Sequence, residues 1–400
     1  MTFLSRRVSG TRPSATKEMT RLGNELARAG RSIISLSTGE PDFDTPLHVR
    51  EGAKAAIDRG ETRYTEVPAT RELLEAICRK FQRDNALAFT PRQVTVGCGS
   101  KQVLYNALQA SVEAGDEVVI PTPAWVSYPE MVRIAEGTPV IVRCGADTGF
   151  KITPERLEGA ITPRAKWLML NSPGNPSGAE YSRAELQALG AVLLRHPHVW
   201  VMSDDIYEKI RYGETPFATI AAVCPGLLAR TLTVNGVSKA YAMTGWRCGF
   251  GAGPVDLIRA MNTIQSQSTS HTSSVSQAAS IVALDGPMDF LGPFIEAYRR
   301  RRDFVVAAMN AIPGIECRVP DGAFYVFPGC QRLLGKRTPA GKVIANDTDL
   351  VMYFLGEAGV ALVPGSAFEL PGHFRISYAA SDADLAEGMK RIAHACAGLT

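Results

Sequence analysis

The stretch Asn235-Gly236-Val237-Ser238-Lys239-Ala240-Tyr241-Ala242-Met243-Thr244-Gly245-Trp246-Arg247 sets one lysine in a turn between two apolar runs, Thr231-Leu232-Thr233-Val234 and Cys248-Gly249-Phe250-Gly251-Ala252-Gly253. Both runs read as short buried strands. A free lysine titrates near ~10.4 and is a poor nucleophile at neutral pH until burial or a neighbouring cation lowers that value. Arg247 is such a cation. A lysine in a loop is ordinarily just solvated, so the reading turns on whether other parts of the chain converge on Lys239.

Outward from this stretch the same rhythm recurs. Val94-Thr95-Val96, Glu117-Val118-Val119-Ile120, Pro139-Val140-Ile141-Val142, Trp167-Leu168-Met169-Leu170 and Val199-Trp200-Val201-Met202 are short apolar runs of the kind that strands buried on both faces show. Helical spacing lies between several of them, over 101–112 and over 184–194, the latter opened by the capping box Ser182 and Glu185. Strands alternating with helices predict an α/β fold with a mostly parallel sheet, and in such sheets ligands bind at the carboxyl ends of the strands. Helices are expected over 17–29, 49–58 and 71–83 before this region. After it come helices over 294–310 and 383–397 and strands over 322–327, 360–363 and 374–378. With the strand-like 32–36, the tail predicts a smaller α+β domain. The division expected is 1–46 as N-terminal arm and part of the small domain, 47–293 as the large domain and 294–400 as the small C-terminal domain.

Composition narrows the function. The 400-residue chain is 45% hydrophobic, and its 43 basic and 40 acidic residues leave a net charge of +3, which gives no case for a nucleic-acid partner. The run Arg299–Arg302 reads as a solvated or subunit-facing stretch. No window approaches 18 continuous apolar residues, so no membrane partner is expected. The eight cysteines are scattered with no C-x-x-C pair, which predicts reduced thiols of a cytoplasmic protein and no metal site. Arg6, Arg7 and Arg12 precede the first acid, Glu18, but no apolar core of a signal follows. Residues 1–12 read as a mobile arm.

Several loops at strand ends carry chemistry. Gly97-Cys98-Gly99-Ser100-Lys101 opens a helix, and its exposed amides suit an anion, which Ser238 and Arg247 could help to hold. Asp204 follows the run at 199–202, where an acid at a buried strand's end is costly without a cation or donor, and Tyr207 comes after it with a phenol. Asn175 is displayed on the rigid loop Asn171-Ser172-Pro173-Gly174-Asn175-Pro176-Ser177-Gly178. Trp125 offers a flat face after Pro121-Thr122-Pro123. A reactive lysine, a phosphate cradle, an acid for a ring nitrogen, a phenol and amide for a ring oxygen and an aromatic face together match the needs of pyridoxal 5'-phosphate.

The order of these elements resembles the class I/II aminotransferases of PLP-dependent fold type I, in particular the bacterial branch of aspartate and aspartate/prephenate aminotransferases. The strings that carry the resemblance are Pro13-Ser14-Ala15-Thr16, Gly39-Glu40-Pro41-Asp42-Phe43, Trp125-Val126-Ser127-Tyr128-Pro129-Glu130-Met131, Asn175-Pro176-Ser177-Gly178, Ser238 to Arg247, and Phe374-Arg375-Ile376-Ser377-Tyr378. It implies a seven-stranded large-domain sheet and a homodimer with shared active sites. It implies that Lys239 bonds covalently to the cofactor and shuttles the proton, with Asp204 on the ring nitrogen and Tyr207 and Asn175 on the ring oxygen. Trp125 would stack on the ring. Gly99, Ser100, Lys101, Ser238, Arg247 and the partner's Tyr64 would surround the phosphate. Arg375, helped by the Gly39 backbone, would clamp the substrate α-carboxylate. Ser14, Thr16 and Lys101, with Arg12 nearby, would meet the distal carboxylate of aspartate or glutamate.

The function so implied is transamination of L-aspartate and 2-oxoglutarate, with prephenate, aromatic or other amino-acid substrates as the alternative. A C–S β-lyase suits a second carboxylate less well, and a ligand sensor fused to a DNA-binding module lacks its helix-turn-helix. Two departures bear on substrate choice: Tyr64-Thr65-Glu66-Val67-Pro68-Ala69 lacks the family's glycine, and Ser37-Thr38-Gly39 stands where relatives often have Gly-Ala-Gly.

Overall fold

The computed structural model describes residues 3–400. At its centre is a seven-stranded sheet of β1 (Val94–Gly97), β2 (Glu117–Thr122), β3 (Thr138–Arg143), β4 (Ala165–Asn171), β5 (Trp200–Asp204), β6 (Thr231–Gly236) and β7 (Gly249–Ala252). The spatial order is β1-β7-β6-β5-β4-β2-β3. All pairings are parallel except those of β7, which runs antiparallel to both β1 and β6. Each strand overlaps an apolar run quoted above. The run in β3 departs from expectation: it pairs only with β2, so it is an edge strand, and none of its residues is fully buried. An apolar triplet cannot by itself distinguish a central strand from an edge one.

The expected helices form with small changes at their ends. Ala15–Arg28, Leu47–Asp58, Ser100–Ser111, Leu291–Asn310 and Asp382–Ala397 match the periodic stretches. Arg71–Asn85 starts where the Thr70 hydroxyl accepts from Leu73 N–H and runs two residues longer than expected. The capping box of Ser182 and Glu185 is present at Arg183–Arg195. Residues 1 and 2 of the expected mobile arm lie outside the described residues, and within the arm Arg6–Ser9 forms one helical turn.

The C-terminal strands build two small sheets. Phe374–Ser377 lies between Val363–Pro364 and Tyr325–Val326, antiparallel to both, while Val360–Ala361 pairs in parallel with Ile34–Ser35. The stretch 360–363, read as one strand, is therefore split at Leu362, because its hydrogen-bond partners change from one sheet to the other. Ile34 and Leu36 share a buried cluster with Val360, Ile376 and Ile392, and Tyr207 from the large sheet's loop joins it. The arginine run is less solvated than expected: Arg301 pairs with Asp42 at 2.9 Å and Asp382 at 2.8 Å, and Arg302 lies 4.5 Å above the Tyr212 ring.

What matters for function is that β1, β2, β4, β5 and β6 all end at one edge. Gly97 and Gly236 are both in register with Gly249, the first residue of β7. A Cβ at Gly249 would collide with the backbone of Gly99 and Ser100, so the start of helix Ser100–Ser111 can approach only a glycine. Gly249→Ala is expected to lower stability by about 1–3 kcal/mol, read from the midpoint of urea unfolding; an unchanged midpoint would contradict this packing.

Candidate active site

A cavity of about 300 Å³ opens at this edge. Lys239 stands in the turn after β6, closed by Met243 N–H donating to Ser238 O at 3.1 Å. The partly buried Nζ donates to Gly39 O at 2.6 Å and lies 5.9 Å from the centre of the Phe324 ring. Loss of water lowers its pKa from the ordinary lysine range to about 8; Glu40 opposes the shift, and the charges of Arg375 and Arg247 assist it.

Asp204 closes β5. Its Oδ2 accepts from the Tyr128 hydroxyl at 2.6 Å, while Oδ1 is buried with no partner among the described residues. Burial pushes the carboxyl up to about 6, with the Tyr128 bond acting against it. A buried acceptor left bare is costly until a donor reaches it. Tyr207, three residues on, shares a hydrogen bond with the Tyr325 hydroxyl at 2.8 Å.

Arg375 presents the complementary deficit. It is 1% exposed and lies over the rings of Tyr325 and Phe368 at 4.5 and 5.2 Å. Nη1 donates to Asn175 Oδ1 at 2.9 Å and Nη2 to Ser37 O at 2.5 Å, but Nε has no partner. Burial lowers its pKa, with Tyr325 and Tyr207 opposing the shift, and among the described residues no carboxylate pairs with it. Asn175 is held by its own N–H donating to Asn171 Oδ1 at 2.8 Å, and Asn171 in turn bonds the Asp204 carbonyl.

The third feature is an anion cradle. Gly99, at φ 82°, is the N-cap of Ser100–Ser111 and has no side chain to satisfy the first amides of that helix. Arg247 reaches across it, donating to Cys98 O at 3.1 Å, so close that a Cβ at Gly99 would meet the guanidinium. The Ser100 hydroxyl donates to Asn235 O at 2.8 Å, and Ser238 is buried beside Lys239. Lys101 also lines the cavity, with Nζ 4.6 Å above the Trp125 ring. Burial lowers the Lys101 pKa, with Lys17 and Arg247 adding to the effect.

The structure thus brings Gly39, Ser100, Lys101, Trp125, Asn175, Asp204, Tyr207, Ser238, Lys239, Arg247 and Arg375 to one cavity. Ser14 and Thr16 line it as well. Gly99 lies under Arg247 without lining the wall. Two residues stand apart. Arg12 is 64% exposed at its side chain and pairs with Glu369 at 3.2 Å and Glu130 at 3.5 Å. Tyr64 is 92% exposed, edge-on to His271. Among the other residues that line the cavity, Tyr128, Tyr325 and Glu40 carry chemistry that the sequence did not single out. Tyr128 sits inside a quoted string, but its bond to Asp204 joins residues far apart in the chain, which no local spacing shows. Tyr325 is in a run read only as strand, and Glu40 is in turn chemistry.

The sequence pattern of aminotransferase class I and II matches residues 31–392. The chain belongs to the class I and II aminotransferases. It is a transaminase of a family that works with pyridoxal phosphate. An aspartate aminotransferase of Rhizobium meliloti (strain 1021) is 58% identical over 93% of this aminotransferase and 90% of the relative. An aspartate/prephenate aminotransferase of Cereibacter sphaeroides is 55% identical over the whole of both chains. The crystal structure of a Rhizobium meliloti aspartate aminotransferase superposes with a TM-score of 0.97 at 55% identity, covering 100% of each chain. Aspartate aminotransferase from Thermus thermophilus with maleate gives 0.92 at 42% identity over 99% of this chain and 100% of the other.

The depressed lysine makes a direct prediction for the cofactor-free protein. Lys239 should be acylated by an amine-selective reagent with a pH midpoint near 8, because the amine is free only above its pKa. Glu40→Gln should move the midpoint lower still, since that carboxylate holds the proton on. Peptide mass analysis across pH reads both, and a midpoint in the ordinary lysine range would contradict the account.

Proposed function

We propose that this aminotransferase exchanges the amino group of L-aspartate with 2-oxoglutarate, giving oxaloacetate and L-glutamate in two half-reactions, with pyridoxal phosphate held around Lys239. The observation that carries the dicarboxylic substrate is that one cavity holds a buried guanidinium without a carboxylate, Arg375, and a second cation, Lys101, beside the hydroxyls of Ser14 and Thr16. Two anion-seeking groups suit a substrate with two carboxylates. The Thermus thermophilus relative bound to maleate, itself a dicarboxylate, supports the same reading.

The residues present fit the cofactor. The bare Oδ1 of Asp204 suits a protonated ring nitrogen, and the uncapped amides at Ser100 with Ser238 and Arg247 suit a phosphate. Tyr207 and Asn175 would hold the ring oxygen, and Trp125 would cover a ring face. When bound, the cofactor supplies a carbonyl carbon that amines add to and a ring that draws electrons from the substrate Cα. Lys239 Nζ, unprotonated above about pH 8, provides the anchoring amine and then carries the proton leaving the substrate Cα. Asp204, fixed by Tyr128, keeps the ring nitrogen protonated. Arg375 turns its fork to the α-carboxylate, with the Gly39 carbonyl beside Lys239 fixing the amine's direction.

A homodimer is part of the proposal: the exposed Tyr64 ring would reach the phosphate site of a second copy, and Leu47 and Ile57 add exposed apolar surface, 62% and 54%. The chain would divide at 46/47 and 293/294, supported by the buried cluster that Ile34 and Leu36 share with the C-terminal strands. Eight free cysteines support a reducing, cytoplasmic setting. No helix among the described residues is long and apolar enough to cross a membrane. Prephenate as a further partner in transamination stands beside aspartate, favoured by the relative named for both.

Steady-state kinetics on a panel of amino donors separates the two anion sites. Arg375→Ala should lower kcat/KM by on the order of 100-fold for every amino acid, because it removes a buried charged contact. Lys101→Ala should penalise aspartate and leave phenylalanine within twofold. Equal losses for aspartate and phenylalanine would refute the distal-carboxylate assignment.

A further inference from the structure

Ser14 and Thr16 reach the cavity from a segment with little buried anchorage of its own: of Ala15–Arg28, only Met19 and Gly23 are buried. Ser14 occupies the N-cap of that helix, yet its hydroxyl makes no capping bond, which leaves it free for a ligand. Met19, with the partly buried Leu22 and Leu26, packs the later turns on the small-sheet cluster, and polar contacts ahead of the first turn add to that hold. Just ahead of it, Arg12 is bound at two points. Its backbone N–H donates to Glu130 Oε2 at 2.9 Å and its Nε stands 3.5 Å from Glu130 Oε1. Its Nη2 donates to Glu369 Oε1 at 3.2 Å.

The two acids come from different parts of the fold. Glu130 lies on the helix Ser127–Ile134, which begins two residues after Trp125, and it is held further by Arg133 at 2.6 Å. Glu369 follows the turn Gly365–Phe368 that lays Phe368 over Arg375. That turn is itself fixed: Asp347 Oδ2 accepts from Ser366 N–H at 2.8 Å and Gly372 N–H at 3.0 Å, and Phe368 O accepts from Ala124 N–H at 3.1 Å. Both acids are mostly covered, at 15% and 22% side-chain exposure, while the arginine is 64% exposed. The preorganised partners are therefore the carboxylates, and the arginine is the mobile side chain they hold.

We propose that Glu130 and Glu369 form a clasp on Arg12 that positions Ser14 and Thr16, so that these acids set the preference for dicarboxylic substrates without touching substrate. Arg12 then acts as a positioning residue and not as a cation for the distal carboxylate. Its charge is spent on two acids, and it does not line the cavity. The inference rests on the dicarboxylate reading above. Each ion pair is exposed on one side, so each alone contributes little and the pair acts through geometry.

The test uses the cofactor-loaded enzyme, with maleate affinity by calorimetry, KM for aspartate and for phenylalanine, and the rate of trypsin cleavage within residues 6–21. Glu130→Gln/Glu369→Gln should raise KM for aspartate and Kd for maleate about fivefold. It should leave KM for phenylalanine within twofold and speed cleavage of the segment. Arg12→Gln should do the same, and adding it to the double variant should change nothing more, as expected for residues acting as one unit. Circular dichroism and thermal midpoints check that every variant folds. Loss of dicarboxylate affinity in Arg12→Gln alone, with the glutamate variants unaffected, would overturn the clasp and make Arg12 a direct ligand. A wild-type enzyme with no preference for aspartate over phenylalanine would instead refute the substrate reading on which the clasp rests.

Discussion

The structure depends on charges that the fold buries and then leaves incomplete. Among the described residues, Asp204 has one oxygen satisfied and one bare, and Arg375 is almost wholly enclosed with no acid to neutralise it. Burying an ionised group without a partner is among the most expensive things a protein can do, and ordinary folds avoid it by pairing or neutralising the group. Here the costs are grouped round one cavity, with a lysine whose proton is loosened by the same loss of water. Such a cluster is stable in use only if ligands supply the missing partners: a proton donor for the acid, an anion for the guanidinium, an electrophilic carbon for the amine. The chemistry of transamination requires those three.

The sheet makes the cluster possible. Because β7 runs against its neighbours, the ends of β1 and β6 come together over Gly249, and the uncapped start of the helix Ser100–Ser111 can sit next to the lysine turn. The acid arrives from β5 and the amide from the loop after β4, both at the same edge. The guanidinium comes from a different sheet altogether. Its position is held by a backbone carbonyl, Ser37 O, and by Asn175, so the small sheets and the N-terminal segment are coupled to the large sheet across the cavity itself.

Much of this was legible in the sequence. The apolar runs marked the strands, since a strand buried on both faces needs a continuous apolar string, and the Gly-, Pro- and Ser-rich turns marked their carboxyl ends. Lys239, Asp204, Asn175 and the Gly99–Ser100 turn could be named from those signals. Arg375 could not: an arginine in a short strand looks like any other, and only the family resemblance singled it out. What stayed hidden depends on side chains meeting across long sequence separations. Tyr128 donates to an acid 76 residues away, and Arg12 is drawn to a glutamate 357 residues on. The split of residues 360–363 between two sheets was invisible for a related reason, since apolar character does not say which strand supplies the hydrogen bonds.

The central claim is that the partly buried amine at Lys239 is the anchoring point for the cofactor. Borohydride reduction of the native protein, followed by proteolysis and peptide mass spectrometry, tests it most directly. The account predicts that the reduced cofactor stays covalently on the peptide containing Lys239 and on no other lysine. Finding that peptide unmodified, or the label on Lys101 or another lysine in its place, would contradict it.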